Sequence, residues 1–133
     1  MKMTELEPKI VWHYFDEICK IPHPSGKEEQ IIAYIVNFGK EHGLETLTDE
    51  AGNVLIRKEA TPGLEHLTPV VLQSHMDMVC EKNNGTAHDF SKDPIHAIVE
   101  GGWLKACDTT LGADDGIGVA AQLAILADDN IKH

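Results

Sequence analysis

From Asp115 to about Ala127 the chain leaves almost no polar face. Ile117, Val119, Ala120, Ala121, Leu123, Ala124, Ile125 and Leu126 fill most of one predicted helix. A helix that is apolar all round belongs in an interior, with other layers covering it. The remaining residues must build those layers, and they look few for the task. Two readings stand: one portion of a larger domain, or a small complete domain with exposed apolar surface. Large exposed apolar patches are uncommon in monomers, which favours the larger domain.

The elements ahead of that helix point to layers of mixed type. Val11, Tyr14, Phe15, Ile18 and Cys19 recur at helical spacing, which predicts a first helix over Pro8 to Lys20, stopped by Pro22 and Pro24. Ser25-Gly26-Lys27-Glu28 has the form of a capping box and predicts the start of a second helix running to about His42. Gly43 is placed to end it as a left-handed cap. Glu45 to Thr48 and Asn53 to Lys58 read as strands around the turn Asp49 to Gly52. Pro69 to Gln73 is an almost continuous apolar run, the pattern of a strand buried on both faces. Lys82 to Pro94 reads as a long polar loop, and Ile95 to Val99 with Trp103 to Ala106 as a hairpin around Gly101-Gly102. This order of helices and strands predicts an α/β layered domain.

Charge and cysteine usage exclude several classes of function. The 133 residues carry a net charge of −11, which repels phosphate backbones and argues against a nucleic-acid partner. No apolar run approaches the roughly 20 residues of a membrane span. Met1 to Pro8 has no apolar core of a signal peptide. Cys19, Cys80 and Cys107 show no disulfide or C-x-x-C spacing. They read as reduced thiols in a cytoplasmic protein.

Two short segments carry the chemistry. Ser74-His75-Met76-Asp77-Met78-Val79 follows directly on the Pro69–Gln73 run. Ligands of open α/β sheets sit at the carboxyl ends of strands. In an extended backbone His75 and Asp77 point to one side. An imidazole can bind a metal through one nitrogen while a carboxylate holds its other N–H. The plainer alternative is a histidine satisfied by its neighbouring aspartate. The second segment, Thr109 to Gly118, sets Asp114-Asp115 among glycines at the start of the apolar helix. Either aspartate could simply cap the helix, or one could be a rigidly held oxygen ligand. The pattern is not a phosphate loop, because it lacks G-x-x-x-x-G-K-[ST]. Taken together, the segments supply what the first half of a two-metal hydrolase needs. Each zinc takes about four N, O or S ligands, and a bridging aspartate can hold two metals about 3.5–4 Å apart.

Here a resemblance enters. Ser74 to Val79 and Thr109 to Gly118 resemble the zinc-dependent family of aminoacylases, glutamate carboxypeptidases, tripeptidases and dipeptidases. The match to its Xaa-His (aminoacyl-histidine) dipeptidase branch is closer, over Ile21 to Glu29, Val71 to Val79, His88 to Ile95 and Thr109 to Gly118. The resemblance covers nearly the whole chain, in order. It implies a helix–sheet–helix zinc-peptidase fold with a mixed sheet, with residues 1–133 as the N-terminal part of the catalytic domain. It also implies hydrolysis of small peptides, Xaa-His dipeptides of the carnosine type, by a zinc-activated water. Two zinc ions are implied as cofactor, with cobalt or manganese as substitutes.

The same resemblance implies roles for matching residues. His75 is similar to a terminal zinc ligand, Asp77 to the catalytic carboxylate that orients it, and Asp114 to the bridging ligand, joined to Asp115 by a cis peptide. In the family a Glu-Glu pair follows about thirty residues after the bridging aspartate and supplies the general base and a further ligand. That pair, a further acidic ligand, a distant histidine and the lid domain through which a homodimer would form all lie beyond His133. The 133 residues alone are therefore expected to be inactive. The rivals are another member of the same family, a tripeptidase or N-acyl amino acid amidohydrolase, and a non-catalytic remnant. The other histidines read plainly: His13 and His42 on helices, His23 between prolines, and His66, His96 and His133 on the surface. His88 receives no function.

Overall fold

The computed structural model describes all 133 residues. A short 3-10 turn at Met3–Glu5 precedes helices α1 (Lys9–Lys20) and α2 (Glu29–Glu41). Strands β1 (Glu45–Thr48), β2 (Val54–Arg57), β3 (Ala97–Glu100) and β4 (Trp103–Ala106) follow, and helix α3 (Ala113–Ala127) closes the order. The α/β class stands. The strands, however, form two separate antiparallel pairs, β1–β2 and β3–β4, and not one mixed sheet. Outside them lie a parallel bridge between Pro24 and Met78 and an antiparallel one between Lys82 and Thr109.

Phe15, Ile18 and Cys19 of α1 bury one face, and Ile31, Ile35 and Phe38 of α2 another. Met3, Met78, Ile95, Val119, Ala120 and Leu123 complete the cluster. The crossing of α1 and α3 is close at Gly116, where a Cβ would stand 3.1 Å from the Phe15 ring. α2 ends as expected. Gly43 takes φ +65°, its N–H reaches Lys40 O at 3.1 Å, and the Leu44 N–H reaches Gly39 O at 2.9 Å.

Three further expectations need correction. The capping box does not form: α2 begins at Glu29 with no side-chain cap, and the Ser25 hydroxyl is engaged elsewhere. The Pro69–Gln73 run is not a buried strand. It lies outside both strand pairs, and Val70 and Val71 are 81% and 88% exposed. Its composition suits an interior, but no layer of this chain stands against it. Finally, α3 is not buried all round. Gly116, Val119, Ala120, Leu123 and Ala124 are buried, while Ile125 is exposed and Ile117 and Ala121 are half-exposed. α1 covers one side of α3, and the other side has no comparable partner.

Lys58, just past β2, ties that hairpin to the end of α3. Its Nζ donates to Leu126 O at 3.0 Å, Asp128 O at 3.1 Å and Asp129 Oδ1 at 3.1 Å, which uses all three ammonium protons. The carbonyls at a helix C-terminus have no partner within the helix, and a cation there also meets the negative end of its dipole. Lys58→Met keeps the stem and removes these bonds. It should lower stability by about 1–3 kcal/mol in urea unfolding, and a change below about 0.3 kcal/mol would show that the cap is dispensable.

Candidate metal centre

The backbone brings the two chemical segments together before any side chain takes part. Met78 is held from one side by the turn after α1: its N–H donates to His23 O at 3.0 Å, and the Ser25 N–H donates to Met78 O at 3.1 Å. From the other side, the chain around Thr110 is stitched to residues 79–83. The Thr110 N–H donates to Glu81 O at 2.9 Å, and its hydroxyl donates to Val79 O at 2.7 Å while accepting from the Glu81 N–H at 3.2 Å. Asn83 adds a bond from its N–H to Asp108 O at 2.8 Å and one from Nδ2 to Asp108 Oδ1 at 3.0 Å. Gly112 makes the last approach possible. It takes φ +76°, and a Cβ there would lie 2.9 Å from Met78 Sδ. Only glycine meets both demands without strain.

With the segments fixed, His75 stands between two carboxylates. Its Nε2 lies 3.0 Å from Asp114 Oδ1, and its Nδ1 lies 3.1 Å from Asp77 Oδ1 and 3.2 Å from Asp77 O. Asp77 Oδ2 in turn accepts from the Ser25 hydroxyl at 2.6 Å. The three residues singled out in the sequence thus converge. Asp114 and Asp115 depart from helical angles and are joined by a cis peptide. The Asp115 carboxylate folds back against Gly118, whereas the Asp114 side chain is 97% exposed.

The electrostatics follow from these contacts. The hydrogen bond to Asp114 raises the His75 pKa above the ordinary histidine value, and Asp77 adds to it. The Ser25 hydroxyl is the largest cause holding the Asp77 carboxyl below its usual range, with His75 contributing. His23, given a plain reading in the sequence, is 2% exposed, and burial pushes its pKa down. Its Nδ1 lies 2.5 Å from Ile21 O, while its Nε2 is buried without a partner. Sequence reasoning missed the roles of Ser25 and Thr110. Both lie in segments that carried the resemblance, but a hydroxyl that bonds across 52 or 31 positions leaves no local spacing to read.

The fit to a zinc ion can be judged from these atoms. Two donors on one tetrahedral zinc, each about 2.0–2.2 Å from it, stand about 3.3 Å apart. The 3.0 Å between His75 Nε2 and Asp114 Oδ1 is close to that separation. The nitrogen and oxygen donors suit zinc, and Asp77 behind the imidazole is the usual outer partner of a metal-bound histidine. The number of ligands falls short: no group of three or more His, Cys, Asp or Glu side chains is arranged to hold a metal ion.

Without metal, the His75–Asp114 contact has a pH signature. A histidine pKa raised above the unfolded value of about 6.5 means the contact stabilises the fold fully below that pH. The contribution fades as pH rises through the folded-state value. Proton NMR of the metal-free chain should show His75 titrating above the ordinary value, and Asp114→Asn should lower it. An unchanged midpoint in the variant would mean that the two side chains do not meet in solution.

No protein-family model matches the chain. It is 54% identical over 132 residues to the cytosol non-specific dipeptidase of Escherichia coli (strain K12), covering 99% of this chain and 27% of that protein. The crystal structure of aminoacylhistidine dipeptidase from Vibrio alginolyticus matches with a TM-score of 0.97 at 50% identity, over 100% of this chain and 27% of that one. A tripeptidase from Staphylococcus aureus subsp. aureus Mu50 matches with a TM-score of 0.71 at 26% identity, over 89% of this chain and 31% of that one. The chain spans about a quarter of the length of the dipeptidases it matches. Along its whole length, this chain is a close homologue of a segment of the cytosol non-specific and aminoacylhistidine dipeptidases, and it carries the fold of that segment.

Proposed function

We propose that this chain carries part of the metal site of a zinc-dependent dipeptidase, one that hydrolyses dipeptides of the Xaa-His type. The observation that carries the reading is the His75–Asp114 pair at 3.0 Å, with Asp77 behind the ring. In this reading His75 offers Nε2 as a terminal ligand, and Asp77 keeps the proton on Nδ1. Asp114, with its exposed carboxylate, has one oxygen toward His75 and a second free for another cation. A zinc pair, when bound, would supply Lewis-acid activation of water and of the peptide carbonyl. Cobalt or manganese could replace zinc.

The dipeptidase reading is favoured over a tripeptidase by the comparisons, 0.97 at 50% identity against 0.71 at 26%. A cytoplasmic location goes with it. The three cysteines are free, no helix is long and apolar enough to cross a membrane, and the Escherichia coli relative is named for the cytosol. Dimerisation through a lid domain outside these residues belongs to the same proposal.

His75 and Asp114 alone, with no group of three or more such side chains arranged to hold a metal ion, are too few ligands for hydrolysis. The 133-residue chain by itself should therefore leave Xaa-His dipeptides intact when zinc or cobalt is added. Grafted into a full-length relative in place of the matching segment, it should support turnover. His75→Ala in that chimera should then remove zinc and activity together, by tenfold or more in each. Zinc retained at full stoichiometry in His75→Ala would refute the assignment of His75, and turnover by the chain alone would refute the need for further residues.

A further inference from the structure

We propose that Ser25 is a positioning residue for the His75 imidazole, acting through Asp77 to choose which ring nitrogen carries the proton. The use of that choice for cation binding rests on the role proposed for His75; the geometry does not. The Ser25 backbone cannot drift relative to Asp77, because its N–H bonds Met78 O at 3.1 Å and Met78 N–H bonds His23 O at 3.0 Å. From that fixed backbone the hydroxyl reaches Asp77 Oδ2 at 2.6 Å. The two oxygens of Asp77 are thus divided, Oδ2 to Ser25 and Oδ1 to His75 Nδ1 at 3.1 Å.

A neutral imidazole has one proton and, at this site, two carboxylates that would accept it. Asp77 competes at Nδ1 and Asp114 at Nε2. The two competitors differ in how they are held. The Asp77 side chain is 35% exposed and anchored by Ser25; that of Asp114 is 97% exposed and bonds only His75. A carboxylate already fixed in place gives up less freedom on bonding the ring than one that rotates in water. Ser25 therefore adds to the pull of the Asp77 backbone carbonyl, 3.2 Å from Nδ1, and tips the proton to Nδ1, leaving the Nε2 lone pair facing Asp114, the side on which a cation would be taken up. Without the hydroxyl, Asp77 is released and this preference weakens.

The test reads the tautomer and not catalysis. Long-range proton–nitrogen correlation NMR of the metal-free, nitrogen-15-labelled chain, at a pH where His75 is neutral, should show mainly the Nδ1–H form. Ser25→Ala should shift the tautomer ratio toward Nε2–H by about fivefold, the worth of one ordinary hydrogen bond. Ser25→Cys keeps the size and weakens the donor, so it should move the ratio the same way even if the alanine variant folds poorly. Ser25→Thr keeps the hydroxyl and should restore the wild-type ratio. A wild-type ratio in the alanine or cysteine variant, or a threonine variant that behaves like alanine, overturns the proposal. A full tautomer effect in a chimera whose His75→Ala form still holds its zinc would uphold Ser25 and count against the metal reading alone.

Discussion

The arrangement depends on how the segment from His75 to Asn83 is gripped. Met78 is buried in the core, and its N–H and C=O are both taken by the His23–Ser25 turn. A few residues on, Thr110 bonds Val79 and Glu81 through both its backbone and its hydroxyl. These bonds fix the distance between chain positions 75 and 114 independently of either side chain. Met78 also packs on Gly112, so the core and the site share one contact. Exposed side chains on separate loops would lose much conformational freedom in meeting; here the backbone has already met that cost.

Much of this was legible in the sequence, for local reasons. α1, α2 and both hairpins show in periodicity and turn chemistry, and the Gly43 cap fell where glycine at a helix end predicts. His75, Asp77 and Asp114 stood out through residue type and a resemblance, and they converge. The misreadings share a cause. Ser25 has the spacing of a cap, but a partner 52 residues away offers its hydroxyl a charged acceptor, and no local pattern records that. Pro69 to Gln73 and α3 show what an apolar segment prefers, and preference is not cover. Their exposed faces follow from how few layers these 133 residues build, with only 16 residues buried.

The site is polarised from one side. Ser25 feeds Asp77, Asp77 feeds one nitrogen of His75, and the other nitrogen faces the exposed Asp114. The first three groups are held in a line by the fold, while Asp114 stands at the solvent end. That order suits a ligand set whose fold-anchored partners fix orientation and whose outer carboxylate remains open to a cation. On the proposed reading, this chain supplies the oriented half of a dinuclear centre, within a segment about a quarter as long as its dipeptidase relatives.

The central claim is that His75 and Asp114 form one cation site. The most direct measurement is a paramagnetic titration: millimolar cobalt(II) added to the labelled chain, with every backbone and imidazole resonance followed. The account predicts that His75 and the residues around Asp114 shift and broaden together, at the lowest cobalt concentrations of any pair. Responses confined to one of the two, or led by a distant residue such as His13, would contradict it.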